Sequence, residues 1–193
     1  IKEDINISHI PVILLTARDD RQSQISGYKN GADGYLSKPF EVEMLMELIR
    51  NRLKNREYTK KRYLNAGLIP TPEESTISLT DETFLIKLNS IIQENIENSN
   101  LGIQFICQEV GLGRSSLYNK LKALTGMGAN EYISKLRIEK AITLISGTDM
   151  PFSEIAEKTG FTTPSYFSTA FKQYTGETPS QYKERKKKGL ADK

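Results

Sequence analysis

With 193 residues, a hydrophobic fraction of 37% and a charged fraction of 26%, the chain has the composition of a globular protein of one or two domains, without collagen-like or disordered bias. No apolar run approaches the ~20 residues of a membrane span, and one Cys and one His exclude an internal disulfide framework and a zinc site of the usual His/Cys kind. The formal net charge of +3 is only mildly basic, so the distribution of charge matters more than its sum.

The opening stretch, IKEDINISHIPVILLTA, places acids before a short apolar run and lacks signal-peptide order. Residues 11–15 (PVILL) are short, apolar and rich in β-branched side chains, which predicts a strand buried on both faces of a parallel sheet. Residues 16–20 follow as a loop and cap. A helix then runs to Lys29, where Asn30-Gly31 stops it. Residues 34–38 form a second strand ended by Pro39. A helix over 41 to about 56 sets Val42, Leu45, Ile49 and Leu53 on one face.

Thr-Ala-Arg at 16–18, G-A-D-G-Y-L-S-K-P-F at 31–40 and the helix after it resemble the second half of a response-regulator receiver domain. The resemblance implies three switch residues. Thr16 would hydrogen-bond a phosphoryl group, Lys38 would pair with its oxygens, and Tyr35 would report the switch by moving inward. A hydroxyl donor and a compact cation suit one phosphoryl group, and the carboxyl ends of parallel strands are where such groups converge. The family's phosphoacceptor Asp and metal-binding acids lie on earlier strands. Asp19, Asp20 and Asp33 do not occupy those positions, so Mg2+ is expected only in a complete receiver and no cofactor is expected for this chain. Residues 1–56 are therefore read as the C-terminal part of a receiver. Two strands with open edges are expected to be partly disordered, packed on the other domain, or paired with another copy.

Residues 57–80 read as a linker. Its basic start at 58–62 is able to extend the preceding helix, while Pro70, Pro72 and a Ser/Thr-rich run break periodicity. Residues 80–83 (TDET) start the next helix with acids in its first turn. That helix runs to about 98, with Phe84, Leu88, Ile91, Ile92 and Asn95 as its inward stripe.

The chain then repeats itself. Ile106, Cys107 and Gly111 match Ile155, Ala156 and Gly160 at one offset; Leu117, Leu121, Lys122, Gly126 and Tyr132 match Phe167, Phe171, Lys172, Gly176 and Tyr182 at an offset one residue larger. One insertion in a turn, with agreement on both sides, predicts a duplicated helix-turn-helix. In the first copy, a helix over 103–110 and a turn at 111–113 lead into a second helix from 114 to about 124. Leu117, Leu121 and Leu124 face inward; Arg114, Ser115, Tyr118, Asn119 and Lys122 face outward. That helix carries three cations and no acid. Arg and Lys contact phosphate or guanine, and Asn reads adenine. A long helix over 129–146, with Arg137 and Lys140 on its outer side, spans ~27 Å. That is close to the ~34 Å between successive major-groove faces once side-chain reach is added. In the second copy the recognition helix lies at about 163–174. Phe167, Ala170 and Phe171 point in; Pro164, Ser165, Ser168, Thr169 and Lys172 point out. Pro164 occupies the first turn, where its missing N–H costs nothing. Thr178-Pro-Ser-Gln181 caps a last helix ending in the basic run 183–188, and 189–193 reads as a frayed end. Cys107 matches an Ala in the other copy and reads as core packing.

Residues ~80–187 resemble the DNA-binding domain of the AraC family. The resemblance rests on E-V-G-L-G-R-S-S-L-Y-N-K-L-K, on the A-x-x-L-I helix end at 141–145, and on I-A-E-K-T-G-F-T-T-P-S-Y-F-S-T-A-F-K-Q-Y-T-G-E-T-P-S-Q-Y. It carries base reading onto Ser115, Tyr118 and Asn119, and onto Ser165, Ser168 and Thr169. Family members often have a large aromatic where this chain has Ser115.

The fold expected is mainly α: a seven-helix tandem helix-turn-helix domain preceded by a truncated α/β receiver fragment. The expected domains are 1–56, a linker at 57–80, the DNA-binding domain at 81–187 and a tail at 188–193. The expected function is a sequence-specific bacterial transcription regulator. It would be the cytoplasmic, non-enzymatic output of a two-component phosphorelay protein with a hybrid histidine kinase as parent, controlled by receiver Asp phosphorylation. The parent is expected to carry any membrane anchor or kinase; this fragment makes no membrane contact. Expected partners are double-stranded DNA, receiver or kinase domains of the parent, and a second copy. The alternative is a protein-interaction or phosphotransfer module without specific DNA binding.

Overall fold

A computed structural model of the chain describes residues 1–17, 20–66 and 79–191. Arg18, Asp19 and the proline-bearing part of the expected linker lie outside the described residues. The described chain forms two compact units, one of residues 1–87 with 112–127, the other of residues 88–111 with 128–193.

The first unit opens with a βαβ element. Strand β1 (Ile13–Thr16) pairs in parallel with β2 (Gly34–Ser37), Ile13 opposite Gly34 and Thr16 opposite Ser37. Helix α1 (Arg21–Lys29) makes the crossover. Its N-cap is Asp20, whose carboxylate accepts the Ser23 N–H at 2.7 Å, and it stops at Asn30 as expected. Burial of β1 on both faces does not hold: Leu14 and Leu15 are 37% and 42% exposed. A two-strand sheet covers too little of their surface. Helix α2 (Val42–Ala66) runs ten residues past the end expected near 56. No proline or glycine interrupts it there, and the basic run 58–62 continues it. Its inward stripe is also thinner than expected. Leu45 and Ile49 are half-buried, but Val42 is 68% exposed and Leu53 53% exposed.

Helix α5 (Arg114–Thr125) belongs to this unit, and α2 packs against it. The receiver-like fragment thus shares a compact unit with a helix that the sequence places in the domain expected at 81–187. A buried polar knot joins three segments here. The Lys120 ammonium, with no exposed surface, bonds to the Asp81 carboxylate and, at 2.6 Å, to the Ser8 hydroxyl. Ser8 also donates to Asp81 at 2.7 Å, and Lys120 lies 5.1 Å from the centre of the Phe84 ring. Asp81 belongs to the first turn of α3 (Leu79–Glu94), where acids were expected for their favourable interaction with the helix end. Its partner is instead a specific buried cation. Of the three cations on α5, Lys120 is consequently withdrawn from the surface.

The second unit holds the end of α3, α4 (Ile103–Val110), α6 (Ala129–Gly147), α7 (Phe152–Lys158), α8 (Pro164–Thr175) and α9 (Pro179–Ala191). Helix α3 stops at Glu94, short of the expected 98, and hands on to turns in which Ile96 is buried. The core of this unit is built on α6. Ile138, Ala141 and Ile145 meet Ile155 and Ala156 of α7 and an aromatic ladder. In that ladder Phe161, Phe167, Phe171 and Tyr182 follow one another at centroid distances of 5.4, 5.7 and 5.5 Å, the last two contacts edge-to-face. Such tilted packing lets each ring edge meet the face of the next. Helix α9 begins as expected: Thr178 accepts the Gln181 N–H, and Gln181 Oε1 accepts the Thr178 N–H. It continues through Ala191, so the end expected to fray is helical as far as it is described.

The seven helices α3 to α9 and the preceding strand–helix fragment give the fold class expected from sequence. The duplication is equally plain. Ile106 and Ile155, Leu117 and Phe167, and Leu121 and Phe171 are all buried at 1% exposure or less. Gly111 and Gly160 share a left-handed backbone, with φ of 75° and 72°. Two residues separate Gly111 from α5, and three separate Gly160 from α8, which locates the inserted residue.

Removing one member of the Lys120–Asp81 pair leaves the other buried and unpaired, which costs about 3–5 kcal/mol. Asp81→Asn and Lys120→Met should each lower the urea midpoint accordingly, and K120M/D81L should recover most of the loss. Single variants within about 0.5 kcal/mol of wild type would refute a desolvated pair. A second expectation concerns Tyr174. Burial first, then the Glu139 charge and the bond its hydroxyl donates to Glu139 at 3.3 Å, push its pKa from 10.0 up to about 12. The fold favours the protonated phenol. The associated stability is therefore constant below pH 10 and is lost as pH rises from 10 towards 12. In alkaline absorbance titrations, the wild type minus Tyr174→Phe difference should show one phenol with a midpoint raised to about 12; a midpoint near 10 would contradict it.

Candidate nucleic-acid interface

Helices α5 and α8 are each twelve residues long, and neither contains an acidic residue in a chain with 24 of them. On α5, Leu117, Leu121 and Leu124 are buried. Arg114, Ser115, Tyr118, Asn119 and Lys122 are exposed, as the 3.6-residue period requires of the opposite face. On α8, Phe167 and Phe171 are fully buried and Ala170 half-buried. Pro164, Ser165, Thr169 and Lys172 are exposed, while Ser168 is only half-exposed.

The two helices start differently. The N-cap of α5 is Gly113, which offers no side-chain acceptor, and Arg114 follows it directly. At α8 the Thr163 hydroxyl accepts the Tyr166 N–H at 3.1 Å, and Pro164 takes the first helical position. Free N–H groups at a helix start favour an anion, and α5 adds two exposed cations, Arg114 and Lys122, where α8 has Lys172 alone. The exposed face of α8 is otherwise mostly hydroxyl and aromatic, with Pro164 and Gln173 beside them. Thr169 gives its hydroxyl to the Ser165 carbonyl at 3.1 Å, so in this state it is engaged with its own helix.

Sequence reasoning passed over Tyr166, which is 54% exposed on the first turn of α8 and packs edge-on against Phe161 at 5.7 Å. It also passed over the burial of Arg137. Expected on the outer side of α6, Arg137 is only 9% exposed, and its Nη2 donates to the Asn98 carbonyl at 2.7 Å. Its neighbours at i±4, Ile133 and Ala141, are both buried, and that periodicity was the available signal. Lys140, also expected outside, is half-buried and bonds Glu97 at 3.0 Å.

The basic run of α9 is largely met by acids of its own unit. Lys183 pairs with Asp149 at 3.3 Å, Arg185 with Glu177 at 2.7 Å, and Lys188 with Glu184 at 2.8 Å. Cys107 is a buried free thiol, consistent with core packing.

In the first unit, Thr16 and Lys38 are brought together at the carboxyl ends of the paired strands, where the Lys38 N–H donates to the Thr16 carbonyl at 2.7 Å. Lys38 is exposed, and Tyr35 is half-buried on β2 with its ring 6.5 Å from that of Tyr28. Asp33 is structural: it accepts the Val12 N–H and pairs with Lys2, both at 2.7 Å. Among the described residues, no three of His, Cys, Asp and Glu converge as a metal-holding group, and no helix is long and apolar enough to cross a membrane.

A family profile described as a helix-turn-helix domain matches residues 106–185. The chain is 42% identical over 185 residues, 96% of its length, to "Histidine kinase P4" of Formosa agariphila, of which it covers 13%. It is 33% identical over 121 residues, 61% of its length, to the "Uncharacterized transcriptional regulatory protein YesN" of Bacillus subtilis, of which it covers 32%. Among solved structures, the C-terminal domain of AraT, a response regulator from Geobacillus stearothermophilus, is 31% identical. That match covers 57% of this chain and 88% of the other, with a TM-score of 0.51. The chain thus spans only a minor part of these curated relatives' own length. The paired helix-turn-helix units, their left-handed glycines and these matches together establish that the C-terminal part of the chain belongs to the AraC-type helix-turn-helix family.

Proposed function

We propose that this chain is the DNA-reading output of a two-component regulator. It is a sequence-specific transcription regulator that uses α5 and α8 as recognition helices. One observation carries the reading. Both helices bury large apolar side chains, Leu117, Leu121 and Leu124 on α5 and Phe167 and Phe171 on α8, and expose an acid-free polar face, which is what entry into a polyanionic groove requires. Relatives described as a histidine kinase, a transcriptional regulatory protein and a response regulator support the same assignment.

In this reading Arg114 and Lys122 hold phosphate or guanine, and Asn119 reads adenine. Tyr118 and Ser115 contribute apolar and hydroxyl contacts. Ser165, Ser168, Thr169 and Lys172 form the second surface. It discriminates less, because it offers one cation and mostly hydroxyls. Thr16, Tyr35 and Lys38 act as the switch of a receiver whose phosphoacceptor Asp and Mg2+ belong to a complete domain in a parent protein. The parent is a hybrid histidine kinase, its output cytoplasmic; kinase or receiver domains and a second copy are its protein partners. This chain contributes binding rather than catalysis.

Binding of fluorescent duplexes as a function of KCl tests the assignment. The log–log salt dependence should fall with a slope near −0.9 per phosphate neutralised. Arg114→Glu and Lys122→Glu should weaken every duplex, whereas Asn119→Ala should change the ranking among sequences. A promoter-derived duplex bound no tighter than scrambled DNA at every salt concentration would sink sequence-specific recognition.

A further inference from the structure

Arg137 is only 9% exposed; among the described residues it forms no ion pair, and its buried Nε has no hydrogen-bond partner. Burial lowers its pKa from the ordinary arginine value. A largely buried charge with no opposite charge beside it is costly, and an orphaned donor adds to that cost. An apolar side chain on this face of α6 would be cheaper for stability alone. The position therefore needs an explanation other than stability.

Geometry supplies one, wholly within the second unit. The guanidinium touches two segments that are distant in sequence. Nη2 holds the Asn98 carbonyl in the connection between α3 and α4, and Cζ lies 5.9 Å from the centre of the Phe161 ring in the turn between α7 and α8. That turn is pressed home. A Cβ on Gly160 would stand 2.2 Å from the Ile96 carbonyl and 2.9 Å from Arg137 Nη2, and the backbone there has φ of 72°. Only glycine allows this approach. Phe161 in turn packs on Tyr166 and Phe167, at 5.7 and 5.4 Å, in the first turn and a half of α8. Ser165, Ser168 and Thr169 flank those aromatics. The same guanidinium thus fixes the turn that launches α8 to the body of its unit.

We infer that Arg137 is a positioning residue for DNA reading: it sets the pitch of α8, and so the bases that Ser165, Ser168 and Thr169 meet, without itself touching DNA. A flat guanidinium can accept a ring on its face while donating in its plane, and lysine cannot do both. Recognition tolerates little error, since a supporting residue must hold a reading group within about 0.5 Å. A modest tilt of α8 is therefore sufficient to change which base edges are reached. The inference rests on α8 being a recognition helix.

The test is selection from a randomised duplex library by the full chain, with sequencing of the bound pool. Asn119→Ala and Thr169→Ala first mark the positions read through α5 and α8. In Arg137→Met, discrimination at the α8 positions should fall by about tenfold, the scale of one lost base contact, while the α5 positions keep theirs. Phe161→Leu should reproduce that pattern, and R137M/F161L should be no worse than either alone. Arg137→Lys keeps the charge and loses the planar contact. It should fall between wild type and R137M, and it serves if R137M does not fold. A merely structural role lowers the active fraction and leaves the preferred sequences of the bound pool unchanged in both halves. That result, or an even loss across both, overturns the inference. If the wild-type chain itself enriches no sequence, the DNA-reading assignment fails instead.

Discussion

A lysine with no contact with water is the constraint on which the first unit depends. Lys120 lies on the inner face of α5, and its ammonium must find compensation there or the unit is strongly destabilised. The carboxylate of Asp81 and the hydroxyl of Ser8 supply it. Three segments distant in sequence are thereby committed to one another: the start of the chain, the first turn of α3 and the helix that exposes Asn119. Apolar contacts are non-directional and tolerate some slippage. A buried charge bonded to two oxygens does not. The fragment resembling a receiver is held to α5 through this directional contact as well as through α2.

The two copies of the repeat have diverged in how they are held. Where α5 has Lys120, α8 has the small Ala170, and the inner face of α8 rests on a ladder of aromatic rings. One recognition helix is fixed from its own inner face by an ionic knot. The other is fixed from behind, by a guanidinium on a neighbouring helix acting through Phe161. The exposed faces differ in the same sense, cationic on α5 and hydroxyl-rich on α8. A duplicated fold therefore presents two chemically distinct surfaces, which a single alignment of the repeats does not convey.

Much of this was legible before any coordinates. Matched apolar positions and glycines located both copies and the inserted residue, because burial periodicity and a left-handed turn leave strong marks on sequence. The polar faces of α5 and α8 followed from the same period, with Ser168 less open than expected. The differences have physical causes. Residue type alone sets Arg137 towards water, although its i±4 neighbours, Ile133 and Ala141, are apolar and buried. Leu14 and Leu15 were assigned by strand composition, although burial on both faces needs neighbours that two strands do not provide. Partners separated by 73 residues, such as Ser8 and Asp81, leave no local trace.

The basic end of α9 carries a further consequence. Lys183, Arg185 and Lys188 each have an acid within 3.3 Å. Each such pair is nearly neutral when viewed from a distance, so these side chains add little to the attractive field that guides an approaching polyanion. The field at long range should instead be weighted towards the acid-free surfaces of α5 and α8. The same three arginine and lysine side chains become available only at close quarters, where a competing oxyanion displaces the resident carboxylate.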